Sequence, residues 1–180
     1  NAVSNTYTLG YSFGSGVTIP GTGILMNNQM NNFAYRYGDS SVDGRAASPA
    51  NRFEAGKRPM STMTPTMVFN QAGELMLVTG SPGGSFIPAA VLRVVSGVID
   101  FDLNIGEATM LPRIHKDWPY SGLDHESILS SDIARQLGIM GHKPESQKTM
   151  GSTQSIHIKK GINYGYADLR RPGAAVSTQR

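Results

Sequence analysis

Apolar and polar positions alternate loosely over residues 2–9 (AVSNTYTL), which are rich in Val, Thr and Tyr, and this period of two predicts a strand. Residues 24–30 (ILMNNQM) begin apolar and pass into amides, which reads as a strand ending in a polar turn. Two short apolar runs, 65–70 (PTMVFN) and 74–79 (ELMLVT), are joined by Gln71-Ala72-Gly73 and predict a hairpin in a buried sheet. Beyond residue 87 the period lengthens. Val91, Leu92, Val95, Val98 and Ile99 fall at helical spacing, so a helix is expected over 87–99, with Pro88 in its first turn and Ser85 as its cap. A second helix is expected over about 130–137, with Ile133 and Leu137 four apart and Gly138 as terminator. Residues 152–158 and 163–168 close the pattern as a pair of strands.

The stretches between these elements are long. Residues 10–23 hold Gly10, Gly14, Gly16, Gly21, Gly23 and Pro20, an irregular loop. Residues 34–58 are polar with little periodicity, and a loop of that length inside a domain is functional or disordered. The Pro/Gly/Ala/Ser-rich tail after Arg171 is expected to fray. No internal repeat or linker appears, so 1–180 reads as a single domain. Strands, then helices, then strands give a layered α+β class.

Composition sharpens this in three places. Glycine makes up 21 of 180 residues, well above the usual ~7%, so many positions need positive φ or a close backbone approach. Net charge is only +3, and Lys57-Arg58, Lys159-Lys160 and Arg170-Arg171 are isolated pairs, which argues against a nucleic-acid partner. There is no Cys, which removes disulfides, thiolate metal sites and a Cys nucleophile. No apolar run approaches the ~18 residues of a membrane helix, and none is expected to span one. The polar opening Asn1-Ala2-Val3-Ser4-Asn5 lacks both Met and signal-peptide character, which suits a processed chain or a segment of a longer one.

Three constellations could carry chemistry. Gly80-Ser81-Pro82-Gly83-Gly84-Ser85 lies between a strand and a helix, where N–H groups can converge on an anion or a developing oxyanion. It equally suits a tight turn. A phosphate loop is disfavoured because no Lys follows at the required position. Ser61, Thr62 and Thr64 lie between Pro59 and Pro65, a stiff hydroxyl-bearing segment suited to a small carboxylate or to capping the next strand. Met26-Asn27-Asn28-Gln29-Met30-Asn31-Asn32-Phe33 holds five amides that either knit a turn or line a polar pocket. His115, His125, His142 and His157 have no metal-ligand spacing, so neither metal nor organic cofactor is expected.

Six blocks, NAVSNTYTL, GILMNNQMNNF, KRPMSTMTPTMVF, TGSPGGS, LPRIH with Trp118 shortly after, and MGSTQSI, together resemble the γ-glutamyltransferase (glutathione hydrolase) family, in its order and spacing over nearly the whole chain. The resemblance implies the smaller, catalytic-side subunit of an autoprocessed N-terminal-nucleophile hydrolase. The implied fold is a four-layer αββα sandwich shared with a large subunit from the same precursor. The implied activity is hydrolysis or transfer of γ-glutamyl groups through an acyl-enzyme on a Thr expected about eleven residues before Asn1. Periplasmic or extracellular location follows from the same resemblance.

By the same resemblance, Thr8 orients the nucleophile, Gly83 and Gly84 form the oxyanion hole, and Ser61 with Thr62 holds the substrate's α-carboxylate. Gln29 and Asn32 lie around its α-amino group, and 34–58 takes the place of a lid. Two departures within the chain bear on specificity. The family's Asp at the amino-group position is Asn32 here, and an Asn two residues after the orienting Thr is Gly10. Removing a carboxylate opposite a buried ammonium can cost ~3–5 kcal/mol, so acyl groups lacking the amine, such as glutaryl, should be less disfavoured. The alternatives are therefore a cephalosporin (glutaryl) acylase and, from another class, a non-catalytic binder of small acidic ligands.

Overall fold

A computed structural model describes residues 1–34, 49–117 and 121–177. Most of the expected lid, residues 35–48, and Trp118 lie outside the described residues. The chain divides into two compact units, one made of Asn1–Thr6 with Met63–Arg180 and the other of Tyr7–Thr62.

In the first unit the expected hairpin forms. Strands β1 (Thr66–Phe69) and β2 (Leu75–Gly80) pair antiparallel. Their turn is knitted by Asn70, whose Oδ1 accepts from the N–H groups of Ala72 (3.0 Å) and Glu74 (2.9 Å), the local bonding that makes Asn a turn residue. The last two strands form a second hairpin. They are β6 (Gln154–Lys159) and β7 (Ile162–Ala167), turned at Lys160-Gly161 with positive φ at both residues. β6 pairs with β2, so the sheet order is β1-β2-β6-β7.

Register sets the two faces of this sheet. Leu77, His157 and Tyr164 lie directly opposite one another, as do Met67, Val78 and Ile156. The Leu77 face packs on two helices, α1 (Ile87–Ile99) and α2 (Ile105–Met110), in a core of Leu77, Val94, Val98, Ile105 and Ala108. On the opposite face Met67 and Ile156 are exposed.

Helix α1 has the expected bounds. Its buried stripe is Ile87, Ala90, Val91, Val94 and Val98, so Leu92 lies off it and is 66% exposed. The expected Ser85 cap is replaced. A 3-10 turn over Gly84–Phe86 leads straight into α1, and the N-cap Phe86 offers no side-chain acceptor. Helix α2 starts from a capping box in which Asn104 Oδ1 accepts from Glu107 N–H and the Glu107 carboxylate accepts from Asn104 N–H, both at 3.0 Å.

A smaller sheet joins β3 (Ile114–His115), β4 (Gly122–Glu126) and β5 (Lys143–Gln147), with β4 and β5 parallel across helix α3 (Ser131–Ile139). α3 runs past Gly138. Its terminator is Gly141 at φ 91°, with His142 N–H on Leu137 O and Gly141 N–H on Gly138 O, both 3.0 Å.

Two expected strands are absent. Residues 2–9 have no ladder, although exposure alternates with period two from Asn1 to Thr8 and Ser4 Oγ donates to Thr79 O (2.9 Å). Over 24–30 only the bridge Thr18↔Leu25 forms, and a 3-10 turn over Gln29–Asn32 follows. Residues 2–9 keep their alternation and 24–30 their apolar start, but among the described residues neither has a partner strand to complete a ladder.

Candidate active site

The glycine turn of the first unit is built where β2 stops and α1 begins. Gly83 takes φ 140°, ψ 15° and Gly84 φ 58°, conformations that a side chain disfavours. The Phe86 N–H closes the turn on Gly83 O at 3.1 Å. The turn is pressed against a second glycine segment. A Cβ on Gly83 would lie 2.9 Å from Gly151 Cα, and one on Gly151 would lie 2.7 Å from Ser81 Oγ. Ser81 is buried and joins the two segments. Its hydroxyl donates to Pro82 O (2.7 Å) and accepts from Ser152 N–H (2.9 Å).

Charge, buried and paired, holds that second segment. Arg113 donates to Met150 O (2.6 Å) and to Asp168 Oδ2 (2.5 Å). Glu126 accepts from Met150 N–H (2.9 Å) and Arg113 N–H (3.0 Å). Arg170 meets the same carboxylate through Nε (2.6 Å) and Nη2 (2.5 Å), a two-point contact that fixes orientation as well as distance. Asp168 also accepts from Thr153 N–H (2.8 Å) and from Arg170 Nη1 (3.2 Å). Two cations and two anions thus clamp both ends of Met150–Thr153. Burial acts to raise the carboxyl pKa of Glu126, but hydrogen bonds from Arg170 and from the Met150 and Arg113 amides outweigh it, and the net shift is downward. Asp168 shifts downward too, its burial outweighed by the Arg170 amide and the Arg113 guanidinium. Burial lowers Arg113, whereas in Arg170 the same penalty is overcome by Glu126 and Asp168 and the shift is upward.

The second unit holds the amide segment and the hydroxyl segment. Asn27 knits the turn, its Oδ1 accepting from Gln29 N–H at 3.0 Å. Asn32 behaves differently: its Nδ2 donates to Met60 O (3.2 Å), the residue directly before Ser61 and Thr62. Asn51, which the sequence reading did not single out, sits between them, donating from Nδ2 to Asn32 O (2.6 Å) and accepting at Oδ1 from Met60 N–H (3.0 Å). Asn27 thus takes the first of the two roles the sequence left open, knitting a turn, while Asn32 and Asn51 tie this segment to Met60. Gln29, Asn32 and Thr62 are half-buried and Ser61 is exposed.

Thr8 is half-buried near the start of the same unit. Close by, Gly10 has φ 91°, and a Cβ there would lie 2.2 Å from Asn28 Oδ1, so a side chain at position 10 requires a strained backbone and a displaced Asn28 side chain. Gly83 and Gly84 belong to the first unit, whereas Thr8, Gln29, Asn32, Ser61 and Thr62 belong to the second. Among the described residues no group of three His, Cys, Asp or Glu could hold a metal ion, and no helix is long and apolar enough to cross a membrane.

The chain is 44% identical over 171 residues to the glutathione hydrolase proenzyme of Escherichia coli K12, covering 94% of this chain and 29% of that protein. The chain thus spans under a third of the length of that relative. A solved Helicobacter pylori gamma-glutamyltranspeptidase mutant superposes with a TM-score of 0.88 at 40% identity, over 95% of this chain and 94% of that one. The cephalosporin acylase of Bacillus halodurans follows at TM-score 0.77 and 28% identity, over 93% of this chain and 30% of that one. The α+β architecture is therefore that of these solved enzymes, and the family model for Gamma-glutamyltranspeptidase matches residues 1–178: the chain belongs to the gamma-glutamyltranspeptidase family.

Proposed function

We propose that this chain is the small-subunit part of a γ-glutamyl amide hydrolase and transferase. The carrying observation is the Gly83–Gly84 turn, strained toward conformations that only glycine adopts freely and held by Ser81 and Gly151 in a chain of this family. In this reading a Thr hydroxyl, placed before Asn1 by the resemblance, attacks the amide carbonyl and is oriented by Thr8. The N–H groups at Gly83 and Gly84 take the oxyanion that forms, a role for rigid backbone donors at developing charge. The amine leaves, and water or a second amine takes the acyl group from the enzyme. Ser61 and Thr62 hold the carboxylate at the far end of the acyl chain, and Gln29 and Asn32 face its α-amine.

A large subunit from the same precursor is the expected partner. The exposed Met67 and Ile156, on the sheet face away from the helices, suit the second sheet of a four-layer sandwich. Autoprocessing and a periplasmic or extracellular setting belong to the same reading.

A glutaryl acylase is the second reading, and Asn32 favours it. Its Nδ2 is engaged by Met60 O, which leaves Oδ1 as an uncharged acceptor toward an amine. The test is release of p-nitroaniline from γ-glutamyl and glutaryl p-nitroanilides by the full-length precursor after maturation. Turnover of either supports the enzyme, and their ratio assigns the acyl preference. The Gly83→Ala enzyme should lose about 10²–10³-fold in kcat with little change in KM. Hydrolysis of neither anilide overturns the enzymatic reading and leaves acidic-ligand binding.

A further inference from the structure

Asn51 makes bonds that no other side chain of its size can make. One amide donates to the backbone carbonyl of Asn32 and accepts from the backbone N–H of Met60, while the Asn32 side chain donates back to Met60 O. The result is a closed ring between the amide segment and the residue preceding Ser61. The backbone of Asn51 adds to it, its carbonyl accepting from Ala34 N–H at 3.0 Å and Phe53 N–H returning to Ala34 O at 3.3 Å. Phe33 and Ala34 are buried, and Phe33 meets Phe53 edge to face at 5.4 Å, so this side of the ring is fixed by packing.

We propose that Asn51 is a positioning residue that sets the distance and angle between the Gln29/Asn32 amides and the Ser61/Thr62 hydroxyls. Through them it selects acyl chains that end in a carboxylate. The assignment rests on the reading of those four residues given above. Asp at 51 keeps the acceptor for Met60 N–H but sets a carboxylate against the Asn32 carbonyl. Ala removes both bonds. Neither change touches the glycine turn or the residues that clamp Met150–Thr153.

The experiment uses the matured full-length protein and three p-nitroanilides: γ-glutamyl, glutaryl and butyryl, the last lacking both the terminal carboxylate and the amine. For Asn51→Asp and Asn51→Ala, kcat/KM should fall about 10-fold or more with γ-glutamyl and glutaryl, mostly through KM, and stay within about 3-fold with butyryl. A parallel loss on all three overturns the assignment, because it marks a structural role. No loss on any overturns it equally. A wild-type enzyme with no preference for the two acidic acyl groups over butyryl overturns the reading of the amides and hydroxyls itself, and the assignment falls with it. If the Ala variant fails to mature, the near-isosteric Asp variant decides. Amide exchange at Met60, expected to quicken in a folded Ala variant, which has lost the acceptor, and not in the Asp variant, which keeps it, gives a readout independent of turnover.

Discussion

In the proposed reading, one heavy-atom exchange at Asn32 alters how the acyl group's α-amine is met. With Nδ2 on Met60 O, the side chain is pinned by a donor that a carboxylate does not have. Asn32→Asp therefore changes two things together: it adds charge toward an amine and sets that charge near a carbonyl oxygen. The charge effect should dominate, since charge-assisted bonds are about twice as strong as neutral ones. The γ-glutamyl to glutaryl ratio of kcat/KM should rise about 10-fold in Asn32→Asp, and a ratio that is unchanged or lower would count against any contact between residue 32 and the amine. Gly10 was legible only as a departure from the family. The structure adds that its φ is positive and that a side chain there would displace Asn28 Oδ1. Asn51 was not legible, since both its partners are backbone atoms far away in sequence and backbone groups carry no residue-type signal.

Helices α1 and α3, and the two hairpins of the larger sheet, were readable because hydrophobic period and turn chemistry agree in each. The smaller sheet was not. β3 has two residues, and the parallel β4–β5 pair depends on a crossover through α3, so pairing partners cannot be found by looking at neighbouring residues. Helix α2 did leave a signal, the Asn104-Ile105-Gly106-Glu107 capping box, in a stretch too short for periodicity to show. Its six residues put a large share of helix-end bonding on that box. Asn104→Ala should cost about 1 kcal/mol in urea unfolding, and Asn104→Asp should restore most of it. No loss in the Ala variant would mean that packing of Ile105 and Ala108 alone holds the helix.

The unit that carries the glycine turn is built around buried charge, which links its stability to pH. Glu126 and Asp168 both have folded-state pKa values below the unfolded ones. Their contribution is therefore fully present above the ordinary carboxylate range and is lost as pH falls through the folded values. His157 is also shifted downward, by burial first and by the Lys159 charge second, with Asp102 opposing. The unfolded chain takes up that proton first, so stability should begin to decline below about pH 6.5 and decline further below about pH 4. Urea unfolding at successive pH values checks this, and His157→Gln should remove the first decline while leaving the second. A single decline in the wild-type protein would overturn the assignment of the upper step to His157. Breaking the pairs one-sidedly is a harsher perturbation: Arg113→Met takes from Asp168 its shorter guanidinium contact, leaves it Arg170 Nη1 at 3.2 Å, and should cost about 3 kcal/mol.

The close approach of Gly83 to Gly151 carries a consequence for how this sequence can change over time. Gly83 and Gly151 both hold positive φ, and each would drive a methyl group into the other's segment, into Gly151 Cα in one direction and Ser81 Oγ in the other. Shrinking Ser81 would clear one collision but would leave the backbone of Gly151 at φ 74° and remove the acceptor for Ser152 N–H. No single compensating substitution therefore opens a route away from glycine at either place. In a library randomised at 81, 83 and 151 the functional survivors should collapse onto the starting triplet, while positions along the exposed α3 diversify freely, so the turn acts as a fixed point around which the rest of the chain is free to drift.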